Sequence, residues 1–105
     1  MVDQSIIEKV KLYLDFLRNK NIPVSSAYLY GSYARGEGNN DSDIDVMLIS
    51  DAFDNYTSKE KGKIWGYTYQ FDYRIEPYIV GKKRFLTDDV SPIILIVKQE
   101  GIPIH

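Results

Sequence analysis

The sequence predicts an α/β (α+β) fold in which a small mixed β-sheet is flanked by helices. An N-terminal segment has apolar residues at helical spacing, and short apolar runs at 25–30 and 43–50 have the length and composition of strands. A longer run at 71–80 alternates between apolar and polar residues, which predicts a third strand. The 105 residues suffice for one hydrophobic core, so we expect a single domain over residues 1–105.

The first helix is predicted to begin at Ser5. Ser5 and Glu8 have the spacing of a capping box, in which two side chains satisfy free backbone N–H groups at the helix start. Asn21 and Pro23 are typical of the segment that follows a helix. The apolar side chains predicted to share its buried face are Ile6, Val10, Leu14 and Leu17.

The second and third strands are predicted to carry acidic side chains. Side chains two residues apart in a strand point to the same face, so Asp43 and Asp45 share one face of the second strand. By the same rule, Asp72 and Glu76 share a face of the third strand. Carboxylates on an otherwise apolar strand are costly unless a cation compensates their charge, which favours a metal site there.

Two more helices are predicted in the second half of the chain. A weak helix is expected over 57–66, where Gly62 lowers the helical propensity. Ser91 and Pro92 are typical of an N-cap and a first helical residue, and Gly101 marks the end of that helix. Residues 81–84 are predicted to form a basic turn.

The composition excludes several classes of protein. Apolar residues make up 44% and charged residues 27%, as in folded soluble proteins. A net charge of −2 argues against sequence-independent binding of nucleic acid. No run approaches the roughly 20 apolar residues of a transmembrane helix, no secretory leader is recognisable, and no cysteine is present to form a disulfide. We therefore expect a cytoplasmic protein that binds neither nucleic acid nor a membrane.

A phosphate-binding turn is predicted to lie beside the acidic strand. Gly31 and Ser32 follow an apolar strand, where a glycine allows close approach and backbone N–H groups and a hydroxyl face a phosphate. Asp43 and Asp45 supply the oxygen ligands that Mg²⁺ prefers alongside substrate phosphates. Together they indicate chemistry on a nucleoside triphosphate.

The chain resembles the DNA polymerase β-like nucleotidyltransferase superfamily in two segments that match its signature. These segments are residues 31–36, Gly-Ser-Tyr-Ala-Arg-Gly, and residues 42–45, Ser-Asp-Ile-Asp. Within that superfamily the chain most resembles the small stand-alone proteins called minimal nucleotidyltransferases (MNT). The resemblance implies transfer of a nucleoside monophosphate, AMP from ATP as the expected case, to a hydroxyl group with release of pyrophosphate. It also implies two Mg²⁺ ions held by carboxylates.

The resemblance assigns roles to six residues. Asp43 and Asp45 hold the metal, and a third acid comes from the following strand. Glu76 is expected in that position as metal ligand and catalytic group, with Asp72 as the alternative. Ser32 and Gly31 hold the terminal phosphates. For Arg35 two interpretations stay open: it binds phosphate, or it pairs with Asp41 or Glu37 to brace the loop.

The resemblance to MNT proteins also implies a partner, an all-helical ribonuclease toxin of the HEPN type. In such pairs the MNT protein is the antitoxin and can adenylylate a tyrosine of the toxin. Two alternatives stay open. The chain is a non-catalytic nucleotide-binding antitoxin that acts by contact, or it modifies a small molecule as a homodimer whose subunits share the acceptor pocket.

Overall fold

Four α-helices and four β-strands form within residues 2–105, the part of the chain that the computed structural model describes. The helices are α1 (Gln4–Asn19), α2 (Ser58–Gly66), α3 (Lys82–Thr87) and α4 (Pro92–Glu100). The strands are β1 (Ser26–Tyr30), β2 (Ile44–Ser50), β3 (Ile75–Gly81) and β4 (Ile102–Ile104). None of the described helices combines the length and apolar character needed to cross a bilayer.

The sheet has the order β3-β2-β1-β4 and is mixed. β1 runs antiparallel to both β2 and β4, whereas β2 and β3 run parallel. Short 3-10 segments, Asp51–Asn55 and Tyr67–Gln70, lie on either side of α2. The predicted α+β fold with a small mixed sheet and flanking helices is confirmed.

Helix α1 begins earlier than the capping-box pattern predicts. Asp3, not Ser5, is the N-cap: its carboxylate accepts hydrogen bonds from the Ser5 backbone N–H at 2.9 Å and from the Ser5 hydroxyl at 2.6 Å. An acidic side chain at this position satisfies a free N–H and lies near the positive end of the helix. The predicted buried face is confirmed by the side chains Ile6, Val10, Leu14 and Leu17.

Strand β2 alternates between two apolar layers. Its even-numbered side chains, Ile44, Val46 and Leu48, enter the larger core with α1 and α2. The odd-numbered Met47 and Ile49 enter a smaller cluster on the other face, against Ile94 and Val97 of α4. On that second face Asp45 and Glu76, at the end of the sheet where β2 and β3 begin, stay partly exposed.

The third strand is shorter than predicted. Residues 71–74 alternate like a strand in the sequence, but they form a turn that precedes β3. The backbone N–H groups of Phe71 and Asp72 both donate to the Thr68 carbonyl at 2.9 Å, which curls the chain away from the sheet. β4 was not predicted, since three residues are too few to show periodicity. The predicted basic turn at 81–84 is wrong, because Gly81 ends β3 and residues 82–84 begin α3.

An ion-pair cluster fixes this turn to the first helix. Lys9 Nζ of α1 lies 2.8 Å from Asp72 Oδ2, and Arg74 donates from Nη2 to the same oxygen at 2.7 Å. The Asp72 and Arg74 side chains are only 8% and 15% exposed, so water screens their attraction weakly. The Arg74 guanidinium holds the pKa of the Asp72 carboxyl below its ordinary value, and Lys9 acts in the same direction.

We predict that Asp72→Asn destabilises the protein in a pH-dependent way. A carboxyl whose pKa is lowered by folding stabilises the fold above its unfolded value, about 4, and this contribution is lost as the pH falls towards the folded pKa. At pH 7 we expect a loss of about 2 kcal/mol, less than for a fully buried pair because Lys9 is one-third exposed.

Urea unfolding at pH 7 and pH 3 measures this effect, with Asp89→Asn, a change at an exposed acid, as the control. The difference between wild type and Asp72→Asn should shrink at pH 3, whereas Asp89→Asn should match wild type at both. If Asp72→Asn lowered the free energy of unfolding equally at both pH values, packing and not charge would account for the contribution of Asp72 to stability.

Candidate active site

The predicted site residues lie at one end of the sheet. β1 ends there, and because it runs antiparallel to β2, β2 and its parallel neighbour β3 begin there. In the strand register Tyr30 is paired with Asp45, and Asp45 with Glu76. Asp43 directly precedes β2. The fold thus brings the first two predicted acids and Glu76 together, next to the turn that begins at Gly31.

Gly31 permits the backbone to pass close to the Asp45 carboxylate. Its φ of +76° lies in the left-handed region, and a Cβ at this position would overlap the Asp45 side chain. After Gly31 the chain makes a helical turn: the Arg35 N–H donates to the Gly31 carbonyl at 3.2 Å, and the Glu37 N–H donates to the Ser32 carbonyl at 2.9 Å. Only glycine fits both the backbone conformation and the space.

The three carboxylates repel one another. Burial raises the pKa of Asp45, and the Asp43 charge adds to the effect while Arg35 opposes it. Burial is also the largest cause that raises the pKa of Glu76. The charges of Asp43 and Asp45 and the hydrogen-bonding contact with Asp43 raise this pKa further. Negative charge is therefore concentrated here, and a cation would relieve it.

The donor set fits a hard divalent cation. Three carboxylates are the oxygen ligands that Mg²⁺ takes together with substrate phosphates. Within residues 2–105, no three histidine, aspartate or glutamate side chains already converge in a metal-binding arrangement. Asp43, Asp45 and Glu76 are nevertheless neighbours whose charges act on one another. Their carboxylate chemistry suits Mg²⁺ and the strand register makes Asp45 and Glu76 neighbours, although the three side chains do not converge on one point.

The two candidates for the third acid lie in different surroundings. Glu76 is on β3, directly paired with Asp45. Asp72 is in the turn before β3, where Arg74 and Lys9 bind its carboxylate. A carboxylate held by two cationic side chains is already neutralised, so the geometry favours Glu76.

The Arg35 side chain forms ion pairs. Its Nε lies 3.0 Å from Glu37, as one of the two interpretations expects, and its Nη1 lies 3.0 Å from Glu100 at the end of α4. Asp41 is not its partner. All three side chains are well exposed, so these contacts are weak and open to exchange with a phosphate. Glu100 is a neighbour that no local pattern in the sequence indicates, because 65 residues separate it from Arg35.

Arg74 and Tyr33 are neighbours of the site to which the sequence analysis assigned no role. Arg74 Nη1 donates to the Tyr33 hydroxyl at 2.9 Å and to the Asn40 carbonyl at 3.1 Å. The Tyr33 hydroxyl in turn donates to the Asn39 carbonyl. The only sequence feature that indicates the proximity of Arg74 to the site is its position two residues before Glu76.

A cavity of about 550 Å³ opens beside the carboxylates rather than over them. Its lining residues are Asn40, Tyr69, Phe71, Asp72, Tyr73 and Arg74. None of the three predicted metal ligands is among them, so the cavity lies apart from the predicted metal site. The carboxylates instead lie on the open sheet face.

Comparison with known proteins agrees with this geometry. The family model described as "Nucleotidyltransferase domain" matches residues 7–103. Among proteins with curated descriptions, none matches the chain at a significant level. A crystal structure from Sulfolobus solfataricus, of a protein assigned to the nucleotidyltransferases, aligns with a TM-score of 0.64 at 13% identity, over 94% of this chain and 78% of that one.

A second similar structure is described as a toxin-antitoxin with AMP-PNP. It aligns with a TM-score of 0.65 at 22% identity, over 94% of this chain and 72% of that one. At these identities the two structures establish a shared fold. The family model covers nearly the whole chain, including the turn after β1, the acids before and within β2, and β3. This chain therefore belongs to the nucleotidyltransferase domain family.

Proposed function

We propose that this protein is an Mg²⁺-dependent nucleotidyltransferase that transfers AMP from ATP to a hydroxyl group. The observation that carries the proposal is the pairing of Asp45 with Glu76, beside Asp43 and against the Gly31 turn. A phosphate-binding turn and three carboxylates then meet at one end of the sheet, in the fold of a nucleotidyltransferase domain.

Each part of the site has one task in this reaction. The backbone of Gly31 and the hydroxyl of Ser32 hold the β- and γ-phosphates, with Arg35 as a further phosphate ligand once it leaves Glu37 and Glu100. Asp43, Asp45 and Glu76 hold the cations. Bound Mg²⁺ would neutralise phosphate charge and lower the pKa of the attacking hydroxyl.

The transfer step replaces a phosphoanhydride bond of ATP with a phosphate ester of the acceptor. The acceptor oxygen attacks the α-phosphorus of ATP, and a new oxygen–phosphorus bond forms as the bond to the α,β-bridging oxygen breaks. Pyrophosphate leaves with the electron pair of that bond. The hydroxyl proton passes to the Glu76 carboxylate, which the strand register places beside Asp45.

We propose that the acceptor is a tyrosine on a partner protein, a toxin of the HEPN type, and that the chain acts as its antitoxin in the cytoplasm. A similar fold occurs in a structure described as a toxin-antitoxin with AMP-PNP, which supports both a toxin partner and a nucleoside triphosphate. Within residues 2–105, Asp43 is exposed and Asp45 and Glu76 are only partly buried. An acceptor on another polypeptide has access to these carboxylates.

We predict that Asp43→Asn together with Asp45→Asn lowers nucleotidyl transfer at least ~100-fold, because the site loses two of its three anionic ligands. The experiment incubates purified protein with Mg²⁺, α-labelled ATP and lysate of the source cells, and detects labelled protein bands. Asp41→Asn is the matched control: it makes the same change at an exposed acid of the same loop.

A labelled band that requires Asp43 and Asp45 but not Asp41 identifies the acceptor by its mass. A free hydroxyl-bearing small molecule that takes the label instead would contradict a protein acceptor. Nucleotide binding without any labelled product would contradict catalysis altogether and leave an antitoxin that acts by contact.

We predict that Glu76→Gln abolishes transfer while raising stability slightly. The charged form of Glu76 is disfavoured by burial and by Asp43 and Asp45, so a neutral isostere relieves repulsion in the folded state. Thermal unfolding and the transfer assay, run on the same preparations with Glu8→Gln as the exposed control, separate the two effects. Retained transfer in Glu76→Gln would remove Glu76 from the site.

We predict that Gly31→Ala reduces ATP binding and transfer roughly tenfold or more. Alanine is strained at a φ of +76°, by about 1 kcal/mol, and its Cβ would push the Asp45 carboxylate out of place. Gly62→Ala is the control, since a Cβ there meets open space on α2. It should keep full activity and gain about 0.5–1 kcal/mol of stability. Equal activity of the two variants would contradict the role of Gly31.

A further inference from the structure

The two halves of the site are joined by an irregular loop, residues 37–43. The Gly31 turn precedes this loop and Asp43 ends it. Hydrogen bonds within the loop are local: the Ser42 N–H donates to the Asn39 carbonyl at 3.0 Å, and the Asn39 N–H donates to the Ser42 hydroxyl at 3.1 Å. Such contacts shape the loop but do not fix it to the sheet. Something outside the loop must set where Asp43 lies.

Arg74 supplies contacts from outside the loop. One nitrogen of its guanidinium, Nη1, donates to the Asn40 carbonyl at 3.1 Å and more weakly to the Asn39 carbonyl at 3.4 Å. The backbone carbonyl of Arg74 also accepts the N–H of Ile44 at 2.8 Å, directly after Asp43. Arg74 therefore holds the loop at its middle and at its end.

Arg74 also holds the turn that follows Gly31. Its Nη1 donates to the Tyr33 hydroxyl at 2.9 Å, and that hydroxyl donates to the Asn39 carbonyl. The Tyr33 ring is buried and lies against Gly38, where a Cβ would overlap it. One tyrosine hydroxyl is thus shared by the turn, the loop and the guanidinium.

The guanidinium itself is fixed by Asp72. Arg74 Nε lies 3.0 Å from Asp72 Oδ1 and Nη2 lies 2.7 Å from Oδ2, the two-point contact that planar Arg and carboxylate groups favour. Because Lys9 binds the same carboxylate, the anchor reaches helix α1. This arrangement leaves Arg74 only 15% exposed and with little freedom to turn away.

We propose that Arg74 is a positioning residue: through Tyr33, Asn39 and Asn40 it holds the phosphate-binding turn and the Asp43 loop in a fixed relation. The proposal rests on the proposed function, because it names the group that keeps the Asp43 carboxylate near Asp45 and Glu76. We call these contacts of Arg74 with Tyr33, Asn39, Asn40 and Asp72 the Arg74 network.

The test removes single contacts of the Arg74 network. Tyr33→Phe keeps the ring against Gly38 but loses the hydroxyl that joins the turn, the loop and Arg74. Arg74→Lys keeps the positive charge, but one ammonium group cannot bind both Asp72 oxygens and the loop carbonyls together. Tyr13→Phe is the matched control, since it deletes a buried hydroxyl that donates to the Ile64 carbonyl at 2.7 Å in the core.

Two measurements are made on each full-length variant. Amide hydrogen exchange of residues 37–43 in metal-free protein reports how firmly the loop is held. Binding of a non-hydrolysable ATP analogue at increasing Mg²⁺, by calorimetry, reports how well the acids are placed. For Tyr33→Phe and Arg74→Lys we expect loop exchange and the half-saturating Mg²⁺ concentration to rise roughly tenfold, the scale of one or two lost hydrogen bonds.

Tyr13→Phe should lower the melting temperature while leaving loop exchange and the Mg²⁺ dependence at wild-type values. The proposal is overturned if Tyr33→Phe leaves both quantities unchanged, or if Tyr13→Phe changes them equally, which would indicate a general loss of stability. Neither readout requires turnover. If the wild type transfers no nucleotide but the two variants still shift both quantities, the proposed reaction fails while the Arg74 network stands.

Discussion

Alternate side chains of strand β2 face two different environments, and the side chains of one set could not occupy the environment of the other. Ile44 and Val46 face the core beneath α1, whereas Asp45 faces the sheet side that α4 leaves partly open. Because side chains alternate along a strand, a register slip of one residue would send Asp45 into the core and Ile44 to the surface. The hydrophobic pattern that folds the sheet is therefore also what places the carboxylates, and β1 and β3 fix the register from both sides.

The unequal cover of the two sheet faces explains how the molecule tolerates concentrated negative charge. A fully covered face would bury Asp45 and Glu76 at a cost that the nearby Arg35 charge offsets only in part. Here the smaller cluster, which includes Ile94 and Val97, leaves Asp45 and Glu76 only partly buried. Burial, and after it repulsion among the carboxylates, raises the pKa of Asp45 and Glu76, but both side chains stay partly exposed to water. The partial exposure that lets a substrate reach the carboxylates also lets water solvate them, which lowers the free-energy cost of their charge.

Local patterns in the sequence were sufficient for the parts of the fold and site that depend on neighbouring residues. The turn at Gly31 and the alternation of β2 follow from local sequence, and both are present. Glu76 as the third acid stays a prediction, and the observations that bear on it are the start of β3 at Ile75 and the contact of Asp72 with Lys9, 63 residues away. The pairing of Arg35 with Glu100 is likewise long-range. Patterns of spacing carry no information about such partners.

The ion pairs around Asp72 serve the fold and the loop at once. Lys9 and Asp72 connect α1 to the turn before β3, and the same carboxylate orients the Arg74 guanidinium towards Tyr33 and Asn40. A cluster of this kind is costly to break, because removing one partner leaves the others desolvated without compensation. The rigidity of the loop at residues 37–43 therefore depends on contacts that also stabilise the core of the protein. A loop anchored in this way can hold Asp43 ready for a cation without forming part of the regular sheet.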